Sequence, residues 1–410
     1  DVLGSRGLGD VYKRQVCYTI INKLINRRLK YMKVQRNKRY AVRKRKNYTA
    51  LKVTTVLLTL LVIAAGTVFV WFLLKTEPQT ASTEPSSSQG SVESKANVKV
   101  ESSEISEDIP KRDPKLPDYS NKFKYTEKLI KDSALSDKLS SEYAVLYDTA
   151  NDIILYKKNA DAKCYPASTT KLLTAIVANK ILDNDEVITV GNEITLIGED
   201  SSVAGLEVGQ KLTAKQLLYA MLLPSGNDAA YTIAVASARK FKENDKLPAK
   251  EAIEVFAELM NDAATELGAE HSHFTNPDGF HDKNHYTTAL DMVKIASYAK
   301  SIPLISEICG TYQITQKLKS GEEFYWVNSN KLLNQGEDCY SEYADGMKTG
   351  FTDEAGSCVI SSFTKNGKTM LTVAMNSPEL YGKYYDTLIL AKLGFKQNKI
   401  DFSYTEQSEE

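Results

Sequence analysis

Apolar and polar positions divide the chain into stretches of three kinds. The first is unbroken: Val53 to Leu74 is a run of 22 residues without a charge, rich in Leu, Val and Thr. As a helix it would be about 33 Å long, against a hydrocarbon core of about 30 Å. Lys52 and Lys75 bracket it, and Trp71 lies near one end, where aromatic belts sit. A cleaved signal peptide has a shorter apolar core, so the pattern predicts a retained transmembrane helix over 53–74. The second kind has no period. Residues 75–120 are mostly Ser, Thr, Glu, Pro and Lys, with Tyr119 the one aromatic. Such composition cannot bury a core and predicts a disordered linker.

The third kind is periodic and fills residues 121–397. Tyr143–Tyr147 and Ile153–Tyr156 read as two strands joined by a polar turn around Thr149–Asp152. Leu212–Leu223, Ala229–Lys240, Glu251–Leu267 and Thr287–Lys300 carry apolar residues at helical spacing. After Gly310 the pattern becomes β, in Tyr312–Thr315, Phe324–Val327, Cys358–Thr364 and Met370–Ala374, and Tyr384–Leu393 reads as a closing helix. Strands at both ends with helices between them predict an α+β domain, one mixed sheet assembled from both termini plus a helical insertion. Residues 398–410 read as a polar tail.

Charge changes this picture at the N-terminus. The whole chain is neutral, yet residues 1–52 hold sixteen Lys/Arg against Asp1 and Asp10, a net of +14 that leaves −14 for the rest. The positive excess before an apolar span orients it with the basic end in the cytoplasm and everything after Lys75 outside. Topology and contact with anionic lipid account for the basic stretch without invoking nucleic acid. Five cysteines without C-x-x-C pairs give no zinc-ribbon or thioredoxin signature. Four of them, Cys164, Cys309, Cys339 and Cys358, fall in the outer part; spacing alone allows three full pairings, and the apolar strand around Cys358 favours a buried free thiol.

The candidate chemistry begins at Ser168-Thr169-Thr170-Lys171. After Ser168 the pattern turns helical, and Pro166 marks the boundary. Residues three apart lie on one face of a helix, so the Lys171 amine can reach the Ser168 hydroxyl. Serine needs an adjacent base, and a lysine serves as one when desolvation or a neighbouring cation lowers its pKa. Alone the motif is weak: it recurs at Ser237, Ser297 and Ser362, and Ser168 could simply cap a helix. Its weight comes from Ser225-Gly226-Asn227 and Lys348-Thr349-Gly350, which follow it in order.

On these motifs the region resembles a serine-type D-alanyl-D-alanine carboxypeptidase, a low-molecular-mass penicillin-binding protein of the peptidase S11 kind. His273–Phe280, His285–Met292 and Gly346–Gly356 strengthen the likeness. The resemblance implies a β-lactamase/DD-peptidase-like antiparallel sheet flanked by helices, with a helical subdomain. It also implies peptidoglycan stem peptides as substrate, covalent inhibition by β-lactams, and no cofactor. In that scheme Ser168 attacks the carbonyl between two D-alanines and Lys171 takes its proton. Ser225 and Lys348 relay the proton to the leaving amine, and Lys348 helps keep Lys171 neutral. Asn227 holds the substrate amide and the Lys171 amine, and Thr349 binds the terminal carboxylate. Gly350 leaves room for the substrate backbone, and the N–H groups of Ser168 and Phe351 hold the oxyanion. Lys383 stands where the family usually has an Arg, as a candidate reader of the carboxylate. About fifteen residues follow Gly394-Phe395, without the C-terminal β domain and amphipathic anchor of many members. The N-terminal span is expected to take that anchor's part, at a bacterial cell membrane.

Three other readings compete. His271, His273, His281 and His285 could ligate zinc, but Asn276-Pro277-Asp278-Gly279 breaks the segment and no Glu is placed as in H-E-x-x-H. A β-lactamase needs a Glu-assisted water, and the nearest segment of that type, Glu258-Leu259-Met260-Asn261, lies inside an amphipathic helix. A non-catalytic domain that binds muropeptides would not need the complete residue set.

Overall fold

The computed structural model describes Tyr119, residues 123–131 and residues 134–404. The basic segment, the span over 53–74 and all of the linker but Tyr119 lie outside the described residues. Among the described residues, no helix is long and apolar enough to cross a membrane.

The chain enters through a short strand, β1 (Thr126–Glu127), and a single helical turn, α1 (Leu135–Lys138). The expected hairpin follows as β2 (Tyr143–Asp148) and β3 (Ile153–Lys158). A helical block comes next: α2 (Lys171–Ile181), α3 (Ala214–Leu222), α4 (Asn227–Phe241), α5 (Ala249–Glu266), α6 (Ala289–Ser301) and α7 (Pro303–Gly310). The strands β4 (Val187–Thr189) and β5 (Lys211–Thr213) pair only with each other inside it. The chain closes with β6 (Gln313–Lys317), β7 (Glu323–Val327), β8 (Ala344–Thr352), β9 (Gly356–Lys365), β10 (Lys368–Ser377) and α8 (Gly382–Gln397).

The main sheet has six strands in the order β1-β3-β2-β10-β9-β8. β1 runs parallel to β3 and the other neighbours are antiparallel. The sheet is mixed and drawn from both ends of the periodic region, as the pattern predicts. One part of that expectation fails: β6 and β7 form a separate two-stranded ribbon. Their residues alternate between exposed and inward-facing; the inward ones are half-buried except Trp326, which is 3% exposed and anchors the ribbon to the core.

Alternation along the strands divides the core in two. Val145, Tyr147, Cys358, Ile360, Leu371, Val373 and Met375 face the helical block, and Ala144, Leu146, Val359, Phe363, Met370 and Ala374 face α8. Helix α2 is buried from Lys171 to Ala178, so it runs through the middle of the helical block. Thr213 starts α3 with a capping box: its hydroxyl accepts from Gln216 N, and its own N–H donates to Gln216 Oε1.

Two boundaries move. Tyr119, assigned to the linker, is 2% exposed and its N–H donates to Glu266 Oε2 at 3.0 Å. Phe402, assigned to the polar tail, is 3% exposed and stacks on Phe395 with ring centroids 5.1 Å apart. A few apolar residues outweigh the average of a polar window: Tyr119 docks its stretch, and Phe402 docks the tail with Ile400 and Tyr404 packed beside it, because aromatic rings bury much apolar surface.

Candidate active site

Ser168 sits in a 3₁₀ turn, Ala167–Thr170, that leads directly into α2. In such a turn residues three apart eclipse, which brings Lys171 under Ser168 more directly than a regular helix would. The turn is held by Thr169, whose hydroxyl donates to Pro166 O at 2.6 Å. Ala167 has φ +47°, the left-handed region, and Ser168 makes no capping hydrogen bond. The capping alternative for Ser168 is thereby excluded.

Lys171 is fully buried. Its Nζ lies 2.8 Å from Ser168 Oγ, 2.7 Å from Asn227 Oδ1 and 2.9 Å from the Asp278 carbonyl oxygen. Burial lowers its pKa from 10.5 to about 8, against the opposing pull of the Asp278 and Asp228 carboxyls. Lys348 is 1% exposed, and its pKa is pushed well below 10.5 by burial and then by the Lys171 cation. Desolvation is thus the leading cause at Lys171, and the repulsion between the two lysines is seen in the lowered pKa of Lys348.

Asn227 opens α4. Its side chain receives the Lys171 amine on one side and donates to Ser201 Oγ at 2.9 Å on the other. The next residue, Asp228, accepts from the N–H groups of Ala204, Gly205 and Leu206 at 2.8–2.9 Å, which fixes the loop that carries Ser201. Ser225 has φ +64° and is 7% exposed on the same cleft.

The third motif lies inside the edge strand β8 and not at a strand end. Lys348 Nζ donates to Thr349 O at 3.1 Å, and the Thr349 hydroxyl lies 2.7 Å from Ser329 Oγ. A Cβ on Gly350 would stand 2.9 Å from Ser168 N and 3.0 Å from Ala167 Cβ. Gly350 is thus needed for the strand to close on the serine turn, beyond any room it leaves for a substrate. Phe351 is 59% exposed on the cleft wall. Lys383, in the first turn of α8, is 3% exposed, lines the cleft, and has its pKa lowered by burial to about 8.

The structure brings all nine sequence-selected residues to one place: seven of them line a cleft of about 630 Å³, and Lys171 and Lys348 lie behind Ser168 and Thr349. Other contributors escaped the sequence reading. Asp278 supplies the carbonyl that accepts from Lys171 across 107 positions. Gly279 has φ +80°, and a Cβ there would fall 1.8 Å from Ala167 O. The Asn276-Pro277-Asp278-Gly279 turn was the available signal, since Asn and Gly mark left-handed backbone.

The histidines serve separate purposes. His285 is buried, its ring nitrogens lie 2.8 Å from Thr170 Oγ1 and 3.1 Å from Thr275 N, and burial lowers its pKa to about 3. His273 Nδ1 lies 2.7 Å from Asn284 O. Among the described residues, no group of three or more His, Cys, Asp or Glu could hold a metal ion. Asn261, from the segment considered for a β-lactamase glutamate, instead brackets Phe274 with two 2.8 Å hydrogen bonds. Cys164, Cys309, Cys339 and Cys358 are all buried free thiols.

Comparison with known proteins agrees with this arrangement. A D-alanyl-D-alanine carboxypeptidase of Streptomyces sp. (strain K15) is 34% identical over 250 residues, 59% of this chain and 82% of that protein. The carboxypeptidase DacF of Bacillus subtilis (strain 168) is 29% identical over 238 residues, and the match spans 57% of each chain. Among solved structures, the Streptomyces K15 DD-transpeptidase is 31% identical with a TM-score of 0.57, covering 63% of this chain and 98% of that one. The ampicillin-bound penicillin-binding protein D2 of Listeria monocytogenes is 26% identical with a TM-score of 0.51, covering 63% of this chain and 98% of that one. The family model described as D-alanyl-D-alanine carboxypeptidase matches residues 130–379, and the chain belongs to that family.

Proposed function

We propose that this chain is a serine DD-carboxypeptidase that removes the terminal D-alanine from peptidoglycan stem peptides. The observation that carries the reading is the fully buried Lys171 amine, 2.8 Å from Ser168 Oγ, with a pKa brought to about 8. Such an amine can accept the serine proton near neutral pH. Ser168 Oγ then bonds to the carbonyl carbon of the penultimate D-alanine. The resulting oxyanion is held by the N–H groups of Ser168 and Phe351, which the close approach of Gly350 brings together. As the C–N bond breaks, the proton passes by way of Ser225 and Lys348 to the leaving amine. Water, deprotonated by Lys171, hydrolyses the acyl-enzyme and restores Ser168. Asn227 holds the substrate amide.

Thr349 and Lys383 face the terminal carboxylate. Lys383 has no carboxylate within salt-bridge distance among the described residues, although it is almost wholly buried. A lysine offers a carboxylate a point charge where an arginine would offer two parallel hydrogen bonds. A β-lactam would acylate Ser168 by the same route and remain attached. Partition of the acyl group to an amine in place of water is the second reading, supported by the likeness to a DD-transpeptidase. We also propose that the N-terminal span tethers the catalytic domain outside a bacterial membrane, on the strength of the +14 segment before the uncharged run.

Mass spectrometry after penicillin exposure tests the reaction: the adduct should map to Ser168 and vanish in Ser168→Ala, and an adduct on Ser237, Ser297 or Ser362 would overturn it. Adding a D-amino acid acceptor to the peptide assay separates hydrolysis from transfer. For the topology, protease added to intact spheroplasts should release a fragment near the size of residues 121–410; its protection would refute the tether.

A further inference from the structure

The cleft has a charge axis that bond cleavage does not require. Near one end, Lys383 lies by Thr349, Ser329 and Tyr384, which are linked by the 2.7 Å Thr349–Ser329 contact and a 3.3 Å bond from Tyr384 OH to Ser329 O. The direction away from them is set by β8, in which Thr349 to Thr352 spans about 10 Å. Beyond Thr352 come Asp353 and Glu354, both exposed on the cleft. The loop with Glu199 and Asp200 lines the same cleft, and both residues are exposed. The two walls meet through Phe280 and His281. A Cβ on Gly198 would fall 2.4 Å from the Phe280 ring, and His281 Nδ1 lies 3.7 Å from Glu354.

Pairing leaves this axis uncompensated. Lys331, also on the cleft, is matched by Glu337 at 2.9 Å, and Glu354 is shared with His281. Among the described residues, Glu199, Asp200 and Asp353 have no cation within salt-bridge distance. Nor has Lys383 an anion, although it is 3% exposed and lines the same cleft. A buried cation with no carboxylate partner, its Nζ 5.2 Å from the centre of the Tyr384 ring, stands at one end and three carboxylates without a cation at the other; together they describe a ligand with a carboxylate and an ammonium at opposite ends.

Among the described residues β8 is the unpaired edge of the main sheet, so an extended peptide can lie along it as a further strand. With its terminal carboxylate at Lys383 and its scissile carbonyl at Ser168, such a peptide continues past Phe351 toward Asp353. The residue before the two D-alanines then faces the acids. Resting on the proposed peptidase reading, we propose that Glu199, Asp200 and Asp353 form a subsite for a side-chain ammonium on that residue. The chain would therefore prefer stem peptides whose diamino acid is free over those whose side-chain amine is acylated, as in a cross-link.

The test compares kcat/KM for Nα-acetyl-Lys-D-Ala-D-Ala and Nα,Nε-diacetyl-Lys-D-Ala-D-Ala, in which a neutral acetamide replaces the side-chain ammonium. Exposed ion pairs are individually weak, so the free-amine peptide is expected to be favoured by about fivefold. That ratio should fall as salt rises from about 0.01 M to about 1 M, where the Debye length shrinks from about 30 to about 3 Å. It should approach one in Glu199→Gln/Asp200→Asn/Asp353→Asn and persist in Glu258→Gln, a charge removal at an exposed position off the cleft. Uptake of a penicilloyl adduct shows that the triple variant is folded; if it is not, Asp353→Asn alone carries the comparison. Equal rates on the two peptides in the unaltered protein, or a ratio that survives the variants, would overturn the subsite. Turnover of neither peptide would overturn the functional reading beneath it.

Discussion

The two ends of the reactive cleft differ in water. At the Ser168 end, Lys171 and Lys348 are 0% and 1% exposed, and burial is the first cause of their lowered pKa values. At the outer end, Glu199, Asp200 and Asp353 are exposed carboxylates. In the dry region a charge cannot be solvated, so its protonation and its neighbours are tightly constrained and each contact weighs heavily. In the wet region each charge is screened and worth little alone. The same cleft thus concentrates reactivity where water is excluded and leaves discrimination between substrates to hydrated groups.

The comparison breaks most readily at Lys171. Lys171→Ala should slow acylation by penicillin by about 10²–10⁴, the span of general acid–base catalysis. In the unaltered protein the acylation rate should rise with pH and level off above about 8, as the base loses its proton. Stopped-flow acylation across pH checks both, and a flat profile would detach the buried amine from the chemistry. The same pKa shift bears on stability with a worked sign. Between about 8 and the ordinary 10.5, the unfolded lysine is protonated and the folded one is not, so stability rises with pH across that window. Below about 8 the burial penalty is present in full. Chemical denaturation of Lys171→Met should lack this rise.

Gly350→Ala should come next. Its Cβ would press on Ser168 N at 2.9 Å and displace the serine turn without touching the base. A misplacement of this kind costs about 10² in rate. The measurement is kcat on a D-Ala-D-Ala peptide, with the melting temperature as a control for folding. Undiminished kcat would show that the turn has slack.

Lys383 tests the boundary between the two regions, being buried like the reactive lysines but lining the cleft. Lys383→Ala should lower kcat/KM for free-acid peptides by about 10–150-fold, the loss of a charge-assisted hydrogen bond of about 1.5–3 kcal/mol. The matching C-terminal amides should lose much less, and equal losses on both would show that Lys383 does not read the carboxylate. The smallest effect belongs to the outer acids. Neutralising one of them should change peptide selectivity by about two- to fivefold, and salt should erase the change.

The sequence by itself determined the local half of this protein. Helix spacing placed Lys171 within reach of Ser168, alternation drew β2, β3, β9 and β10, and apolar periods located α3 to α6 within two residues at most ends. These signals need only neighbours three or four positions away, which is the range over which backbone geometry is set by the chain itself. The tertiary structure decided what depends on distant partners. It buried Lys171 and so gave it the pKa of a base, seated its amine on the Asp278 carbonyl, and made Gly279 and Gly350 obligatory beside the serine turn. It also placed Lys348 mid-strand on the sheet's edge and docked Tyr119 and Phe402 from stretches whose average polarity hid them. Desolvation and close approach are properties of packed surfaces, and a linear pattern holds no record of which surfaces will meet.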